Sequence, residues 1–390
     1  MRKLILILCV ALFLCSCVAP KGQTESIKAL QEKYIEGVWL SFSEINEMLE
    51  DDFKGKFDTC IANCKSFGTT DIFVHVTAFA DSLFDSQYFP KKEQAKKYTY
   101  DILEYMINAS HENGIRFHAW MNPYRVSTAT DDIGTLPDGN PAKKWLSDQD
   151  EQNNQNVCIY NGIYLNPAST EVRKHIINSI REIVLNYQVD GIHFDDYFYP
   201  IVDEKFDEVS YDEYASKTAV PLSLDNWRRA SVNALISGCY TAIKFINKDI
   251  IFSVSPAASI DKNYNEYFAD VEAWIKSGCV DIIIPQLYFG FNYPDVDYGF
   301  ENLLNKWKAA TEQSETKLCI GLAAYKVGTE TEPDCFEWQD ENVLSNQVNL
   351  CLADKSVGGY CFFSYSYLFS ENPINVRARE NIIEIKKEPE

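Results

Sequence analysis

Eight short apolar runs alternate along the sequence with longer stretches that carry apolar residues on one helical face. In one such stretch, Val172, Ile176, Ile180 and Ile183 recur at spacings of three and four residues, which is typical of an amphipathic helix. Eight successive strand and helix units predict an α/β fold, namely a single-domain (β/α)₈ or TIM barrel. The strand candidates are Ile35–Ser41, Asp71–Thr77, Ile115–Met121, Gly191–Asp195, Ile250–Ser255, Asp281–Tyr288, Leu318–Ala324 and Gly359–Tyr365.

Two connections are unusually long, and they explain how one barrel can occupy a chain of 390 residues. One runs from Asn122 to Asn166 after the third strand, and the other runs from Tyr197 to about Leu224 after the fourth. Both follow strands, so we expect both at the C-terminal rim, where barrels of this class build their active sites.

The N-terminal residues have the pattern of an export signal. A short basic start, Arg2 and Lys3, precedes the apolar run Leu4–Val18, which is too short to span a membrane comfortably. The segment Leu14–Cys17 resembles a bacterial lipobox, which predicts cleavage before Cys17 and lipidation of that cysteine; a simple signal peptide is the alternative. The predicted organisation is a lipoprotein signal peptide at 1–16, a polar tether at 17–33 and the barrel at 34–388, anchored by lipid to a bacterial membrane at the outer membrane or cell surface.

The composition excludes several classes of function. With 57 acidic and 36 basic residues, a net charge of -21 and no basic run, the chain is unsuited to bind nucleic acid.

The cysteines and the common motifs narrow the prediction further. Nine cysteines follow the N-terminal segment, mostly in apolar patterns, and we predict no disulfide framework. The sequence has no GxSxG elbow, P-loop or GxGxxG after a strand, and no cofactor is expected. We expect a monomer.

The fourth strand carries the clearest chemical signal, because it ends in the two carboxylates Asp195 and Asp196. Side chains alternate along a strand, so His193, Asp195 and Tyr197 are predicted to face one side and Asp196 the other. Asp195 is the first candidate for the catalytic carboxylate, and Asp196 the candidate to pair with it or tune its pKa. The alternative is that both acids only cap the following loop or bind the next helix.

Other predicted strand ends add polar and aromatic side chains to the same rim. The histidines of the second, third and fourth strands are interpreted as hydrogen-bonding groups rather than metal ligands, because the first strand lacks the HxH pair of metal-dependent barrels. Asn122 and Asn166 each precede a proline, so each could instead begin a helix. The candidate substrate-binding residues are Asp81, His118, Trp120, Asn122, Tyr124, Arg125, Asn166, His193, Tyr197, Gln286 and Tyr288.

A carboxylate-rich, aromatic rim in an exported protein suits the cleavage of glycosidic bonds. Paired acids can protonate the leaving oxygen and stabilise an oxocarbenium-like transition state. Aromatic rings such as Trp120 can stack on sugar faces, although they also serve as ordinary core residues.

Seven segments, GVWL, HAWMNPYR, YLNPASTEVR, VDGIHFDDYFYP, IIPQLYF, GLAAYKVG and GGYCFFSY, resemble in this order the glycosyl-hydrolase-like 10 family of envelope lipoproteins. The resemblance covers roughly Ile35 to Leu368. It implies a TIM-barrel glycosidase, and some relatives are associated with cutting peptidoglycan strands that have lost their stem peptides. The family positions implied for the site are Asp195, Asp196, Asn122, Tyr124, Arg125, Asn166, Gln286 and Tyr288. Phe289 stands where the family commonly has Trp.

The mechanism and the substrate stay open at this point. The fourth strand partly resembles that of chitinase-like barrels, but Tyr197 replaces their final Glu. Asp195 could assist a nucleophilic N-acetyl group of the substrate, or be the nucleophile itself with Asp81 or Asp196 as proton donor. The leading hypothesis is hydrolysis of an N-acetylated envelope glycan, and peptide-free peptidoglycan is the favoured candidate substrate. The alternatives are a non-catalytic glycan-binding surface lipoprotein and a hydrolase of another polysaccharide.

Overall fold

The computed structural model describes residues 34–200, 203–331 and 333–387. The predicted signal peptide, the lipidation site Cys17 and the tether at 17–33 lie outside the described residues. The strands are β1 (Ile35–Leu40), β2 (Asp71–Thr77), β3 (Arg116–Met121), β4 (Arg125–Ser127), β5 (Val157–Ile159), β6 (Ile163–Leu165), β7 (Gly191–Phe194), β8 (Ile251–Val254), β9 (Ile282–Ile283), β10 (Lys317–Leu322) and β11 (Val357–Phe362).

Eight of these strands close into a parallel barrel in the order β1-β11-β10-β9-β8-β7-β3-β2. Closure joins the first and last strands, where Val38 pairs with Phe362 on one side and with Ile72 on the other. All eight predicted strand positions are occupied, and the predicted (β/α)₈ barrel is confirmed. The barrel places the C-terminal ends of its parallel strands at one rim, as the site prediction requires.

Alternation along the strands separates two apolar regions. Residues such as Val38 and Ile72 face outwards and pack under the helices, whereas Trp39 and Phe73 face inwards. The inner cluster also contains Trp120 of β3. All residues of Asp71–Thr77 are buried, as expected for a strand covered on both faces.

Helices cover the outside of the barrel. The helix that starts at Thr170 buries the face containing Val172, Ile176 and Ile180, and Ser169 caps its first turn by accepting from the backbone N–H groups of two residues. The helices are α1 (Phe42–Glu50), α2 (Phe53–Phe67), α3 (Ile102–Glu112), α4 (Pro141–Ser147), α5 (Thr170–Asn186), α6 (Glu208–Lys217), α7 (Leu224–Ile246), α8 (Ile260–Asn265), α9 (Val271–Ser277), α10 (Phe300–Thr311), α11 (Cys335–Trp338), α12 (Val343–Ala353), α13 (Tyr365–Leu368) and α14 (Pro373–Ile385).

The sixth barrel strand is much shorter than predicted, because β9 covers only Ile282–Ile283. Pro285 interrupts the run and has no N–H group to give to a ladder. The chain nevertheless continues along the barrel, since Gln286 forms isolated bridges with Ala257 and Gly321. This path carries Gln286 and Tyr288 to the rim.

The two long connections contain secondary structure that the sequence did not predict. The connection after β3 holds α4 and a small antiparallel sheet of order β4-β6-β5, and the connection after β7 holds α6. The two connections touch: Asn166 Nδ2 donates to Ser210 Oγ at 2.9 Å, and Gln155 Nε2 donates to Glu213 Oε2 at 2.7 Å. The two connections therefore pack together as one folded region on one side of the rim.

The described residues show two further features. None of their helices combines the length and the apolar character needed to cross a membrane. The cysteines at positions 60, 64, 158, 239, 279, 319, 351 and 361 are free and buried.

Candidate active site

Asp195 lies directly after β7, at the barrel rim, with only 3% of its surface exposed. Three nitrogen donors hold its carboxylate: Trp120 Nε1 donates to Oδ2 at 3.2 Å, Asn122 Nδ2 lies 3.2 Å from each oxygen, and the Tyr197 backbone N–H donates to Oδ1 at 3.2 Å. Burial raises the pKa of Asp195, while the charge of Arg125 and these donors oppose the rise. The carboxylate is therefore fixed in position and kept partly desolvated.

Asp196 has a different environment from its neighbour. It is half-buried, and burial together with the charge of Asp195 raises its pKa to about 7, although a hydrogen bond from Gln286 acts in the opposite direction. Two adjacent carboxyls of this kind titrate as a pair. Asp195 accepts hydrogen bonds from N–H groups, which stabilise an anion, so we assign the negative charge of the pair to Asp195. The remaining proton is assigned to Asp196, which at a pKa of about 7 carries it in about half of the molecules at pH 7.

His193 supports the site from inside the barrel and is fully buried. Its Nε2 accepts from Trp39 Nε1 at 3.0 Å and lies 3.1 Å from Ser255 Oγ, and its Nδ1 lies 2.8 Å from Ser253 Oγ. Burial lowers the pKa of His193 well below its usual value, so the ring is neutral and Nδ1 carries the proton that bonds Ser253. The histidine thus links its own strand β7 to side chains of β1 and β8, and it is closed to a substrate.

Arg125 and Tyr197 form the outer part of the site. The Arg125 guanidinium lies 3.8 Å from the centre of the Tyr197 ring, and Tyr197 is 50% exposed. The Arg125 backbone N–H donates to Asn122 Oδ1 at 3.1 Å, so the residue that holds Asp195 also fixes the start of β4. Neither Asn122 nor Asn166 begins a helix, because β4 follows the first and α5 starts only at Thr170.

Gln286 and Tyr288 reach the site from the sixth barrel strand. Gln286 Nε2 donates to the Ser255 carbonyl at 3.0 Å, and the side chain also bonds Asp196. The Tyr288 ring stacks on Phe363 at 5.9 Å and packs edge-on against Tyr325 at 5.7 Å. These rings follow β9, β10 and β11, whereas the two long connections follow β3 and β7. The aromatic rings and the long connections therefore lie on different sides of the rim.

Four of the predicted substrate-binding residues make their contacts elsewhere. His118 Nε2 pairs with Asp71 Oδ1 at 2.7 Å, at the start of β2 and so towards the opposite end of the barrel. Tyr124 is buried in the outer core. Asn166 joins the two long connections through Ser210.

Asp81, the fourth of these residues, is held by a lysine and by two backbone N–H groups. Its Oδ2 forms an ion pair with Lys92 Nζ at 3.0 Å. Its Oδ1 accepts from the backbone N–H groups of Ala78 and Phe79 at 3.3 and 3.2 Å. With these partners, the Asp81 side chain shapes the loop after β2.

Several residues that contact the site were not among the predicted ones. His75 is 4% exposed and stacks on Trp120 with ring centres 3.4 Å apart. Phe79 approaches the Arg125 guanidinium at 5.1 Å. The serines that hold His193 alternate on β8 in the run IFSVS, a signal visible in the sequence once the barrel face is known.

In the described part of the chain, no three His, Cys, Asp or Glu side chains converge in a way that could hold a metal ion. What the arrangement offers is a fixed carboxylate, a second carboxyl with a raised pKa, one arginine and exposed aromatic rings. These groups can supply a negative charge, a proton and flat apolar surfaces within one rim.

Comparison with known proteins identifies relatives of the chain. The profile of the family Glycosyl hydrolase-like 10 matches residues 34–340. Glycosyl hydrolase YngK of Bacillus subtilis (strain 168) is 30% identical over 83% of this chain, which spans 65% of that relative's length. Glycosyl hydrolase DigH of Escherichia coli (strain K12) is 28% identical, with 94% of this chain and 93% of the relative covered.

Solved structures show the same architecture at low identity. The glycoside hydrolase domain of PgaB (BpsB) from Bordetella bronchiseptica gives a TM-score of 0.58 at 13% identity, covering 90% of this chain and 98% of that one. A β-1,4-D-mannanase from Cryptopygus antarcticus gives 0.52 at 11% identity, covering 92% and 91%. These likenesses concern the fold alone. Because the family profile matches well over half of the 390 residues, the chain belongs to the Glycosyl hydrolase-like 10 family.

Proposed function

We propose that this protein is a glycoside hydrolase that cleaves an N-acetylated envelope glycan. Peptide-free peptidoglycan strands are the substrate that we favour. The observation that carries the proposal is the pair Asp195 and Asp196, adjacent in sequence but different in environment. One carboxyl is anchored by N–H donors, and the other has its pKa raised to about 7. Two acids whose environments separate their protonation states are the basic requirement of glycosidic-bond cleavage.

In the proposed reaction, Asp196 gives its proton to the oxygen of the leaving sugar. Asp195 stabilises the positive charge that develops at the reacting carbon, either by attacking it or by orienting the N-acetyl group of the substrate for attack. A water molecule then gives a proton back to Asp196 and attacks the same carbon, which breaks the bond to Asp195 or to the N-acetyl oxygen and releases the sugar. Asp81 is engaged by Lys92, so we assign proton donation to Asp196 rather than to Asp81. A substrate whose N-acetyl groups have been removed separates the two routes, because only the second route requires that group.

The relatives support the general class of activity, since both bear the name glycosyl hydrolase. The choice of glycan rests on the resemblance of the sequence to envelope lipoproteins. We further propose that Cys17 is lipidated and that the lipid anchors the barrel to a bacterial membrane, where the glycan lies within reach. Radiolabelled palmitate incorporation that is lost in Cys17→Ala supports this anchor, and incorporation that persists in the variant contradicts it.

The direct test incubates peptide-free peptidoglycan with wild-type protein, Asp195→Asn and Asp196→Asn, and detects new reducing ends by mass spectrometry. We expect release by wild type and a loss of at least about a hundredfold in each variant, as for removal of an acid or base group. Asp85→Asn is a matched control, because that carboxylate is exposed and pairs only loosely with Lys91 at 3.3 Å.

Two results would contradict the proposal. Absence of new reducing ends with wild type excludes hydrolysis of this glycan, and a panel of other polysaccharides then tests the alternative substrate. Equal release by Asp195→Asn removes Asp195 from the mechanism. Glycan binding without any turnover would instead favour a glycan-binding lipoprotein.

A further inference from the structure

The Arg125 guanidinium occupies a defined place at the mouth of the barrel. It lies between two aromatic rings, 3.8 Å from the centre of Tyr197 and 5.1 Å from that of Phe79. The side chain is half-buried, and Tyr197 is half-exposed, so the cation stands at the boundary between the site and solvent. Stacking on aromatic faces holds a guanidinium plane while leaving its N–H edges available to a ligand.

Whereas Lys92 forms an ion pair with Asp81, no carboxylate among the residues that the structure describes lies at ion-pair distance from Arg125. Its side-chain hydrogen-bond partner is Tyr197, which engages only part of a group with five N–H donors. Its charge acts on both Asp195 and Asp196 without contact at ion-pair distance.

The backbone fixes this cation relative to the two acids. The Arg125 N–H donates to Asn122 Oδ1 at 3.1 Å, and Asn122 Nδ2 holds Asp195. Arg125 also pairs with Tyr164 in the small sheet of the first long connection. A ligand group bound by Arg125 would therefore have a fixed position relative to Asp195, and so relative to the bond that is cleaved.

We infer that Arg125 forms a carboxylate-binding subsite, which recognises the acidic substituent of an N-acetylated sugar, as in the lactyl carboxylate of a bare peptidoglycan strand. The inference rests on the proposed function and adds to it a preference for acidic over neutral glycans. A guanidinium matches a carboxylate through two parallel hydrogen bonds. Because the chain carries a net charge of -21, long-range attraction cannot bring in an anionic strand, and a local cation must compensate.

The test compares two substrates that differ only in this charge. One is a peptide-free peptidoglycan oligosaccharide with free lactyl carboxylates, and the other is the same oligosaccharide with those groups as methyl esters. The kcat/KM of Arg125→Gln is expected to fall about tenfold or more further on the acid than on the ester. Arg125→Lys keeps the charge but loses the planar fork, so it should show a smaller differential loss.

Arg377→Gln is the control for net charge, because its side chain is exposed and pairs with Glu341 rather than with a residue of the site. This variant is expected to treat both substrates as wild type does. An equal loss by Arg125→Gln on acid and ester overturns the inference and assigns Arg125 to the electrostatics of Asp195 instead.

Failure of the proposed function has a different signature, namely no cleavage of either oligosaccharide by wild type. The inference is then decided by binding of the same two oligosaccharides, measured by isothermal titration calorimetry. A preference for the acid that disappears in Arg125→Gln supports the subsite, and equal affinities in wild type overturn it.

Discussion

Gln286→Leu tests whether Asp196 is the proton donor, because Gln286 provides the hydrogen bond that opposes the rise in the pKa of Asp196. Leucine keeps a similar volume and removes the donor. A hydrogen bond to a charged group contributes about 1.5–3 kcal/mol. One pKa unit corresponds to about 1.4 kcal/mol, so loss of this bond at a half-buried carboxyl should raise the pKa by about one unit.

The sign of the effect follows from which form the bond stabilises. The amide N–H donates to the ionised carboxylate, so its removal disfavours ionisation and Asp196 keeps its proton to higher pH. With a pKa of about 7, Asp196 is protonated in about a tenth of the molecules at pH 8. A pKa of about 8 would raise that fraction to about a half. The alkaline limb of the pH profile of kcat/KM should therefore move to higher pH.

The assay measures kcat/KM on peptide-free glycan from about pH 5 to 9 for wild type and Gln286→Leu. Gln339→Leu is a matched control, because that exposed glutamine also donates to a backbone carbonyl, that of Thr329 at 2.7 Å, but lies far along the chain from the acids. An alkaline limb that stays in place or moves downwards in Gln286→Leu refutes the assignment of the proton to Asp196.

Two further predictions follow from the same contacts. Trp120→Phe removes the indole N–H that donates to Asp195, so kcat/KM should fall about tenfold. Tm should also fall, because the smaller ring leaves space in the inner cluster, and a lower Tm with unchanged kcat/KM would contradict the role of the indole N–H. Burial raises the pKa of Asp71, but His118 and Arg116 outweigh burial, and the net pKa is lowered. The stability that this pairing contributes is present above the unfolded pKa of about 3.9 and lost as the pH falls through the lower folded pKa. Urea unfolding of His118→Phe should show a loss of about 3 kcal/mol near pH 6 that shrinks at lower pH, and a loss independent of pH would exclude the pairing as its cause.

Local patterns in the sequence determined the positions of the barrel strands. A strand buried on both faces needs an apolar run, and the strand Asp71–Thr77 has the predicted bounds. The amphipathic spacing of Val172, Ile176 and Ile180 likewise depends only on neighbours within two turns. Such signals are read within a short window, so they do not require the rest of the fold.

The long connections could not be predicted in the same way. The strands β4, β5 and β6 have three residues each, and they are stable because they pair with one another and pack on the barrel. An isolated segment of this length has too little hydrogen bonding and burial to form a strand. Their existence is a property of the folded rim.

The sequence by itself predicted Asp195 and Asp196 as the central acids of the candidate site, because a pair of carboxylates at the end of a buried strand is visible without a structure. Only the tertiary structure distinguished the environments of the two acids, and only it showed that Asp81 is paired with Lys92 and that His118 lies with Asp71. The physical reason is that the environment of a side chain depends on groups distant in sequence. The pKa of Asp196 depends on burial and on Gln286, a residue of another strand. No pattern in the sequence around Asp196 shows that Gln286 lies beside it in the fold.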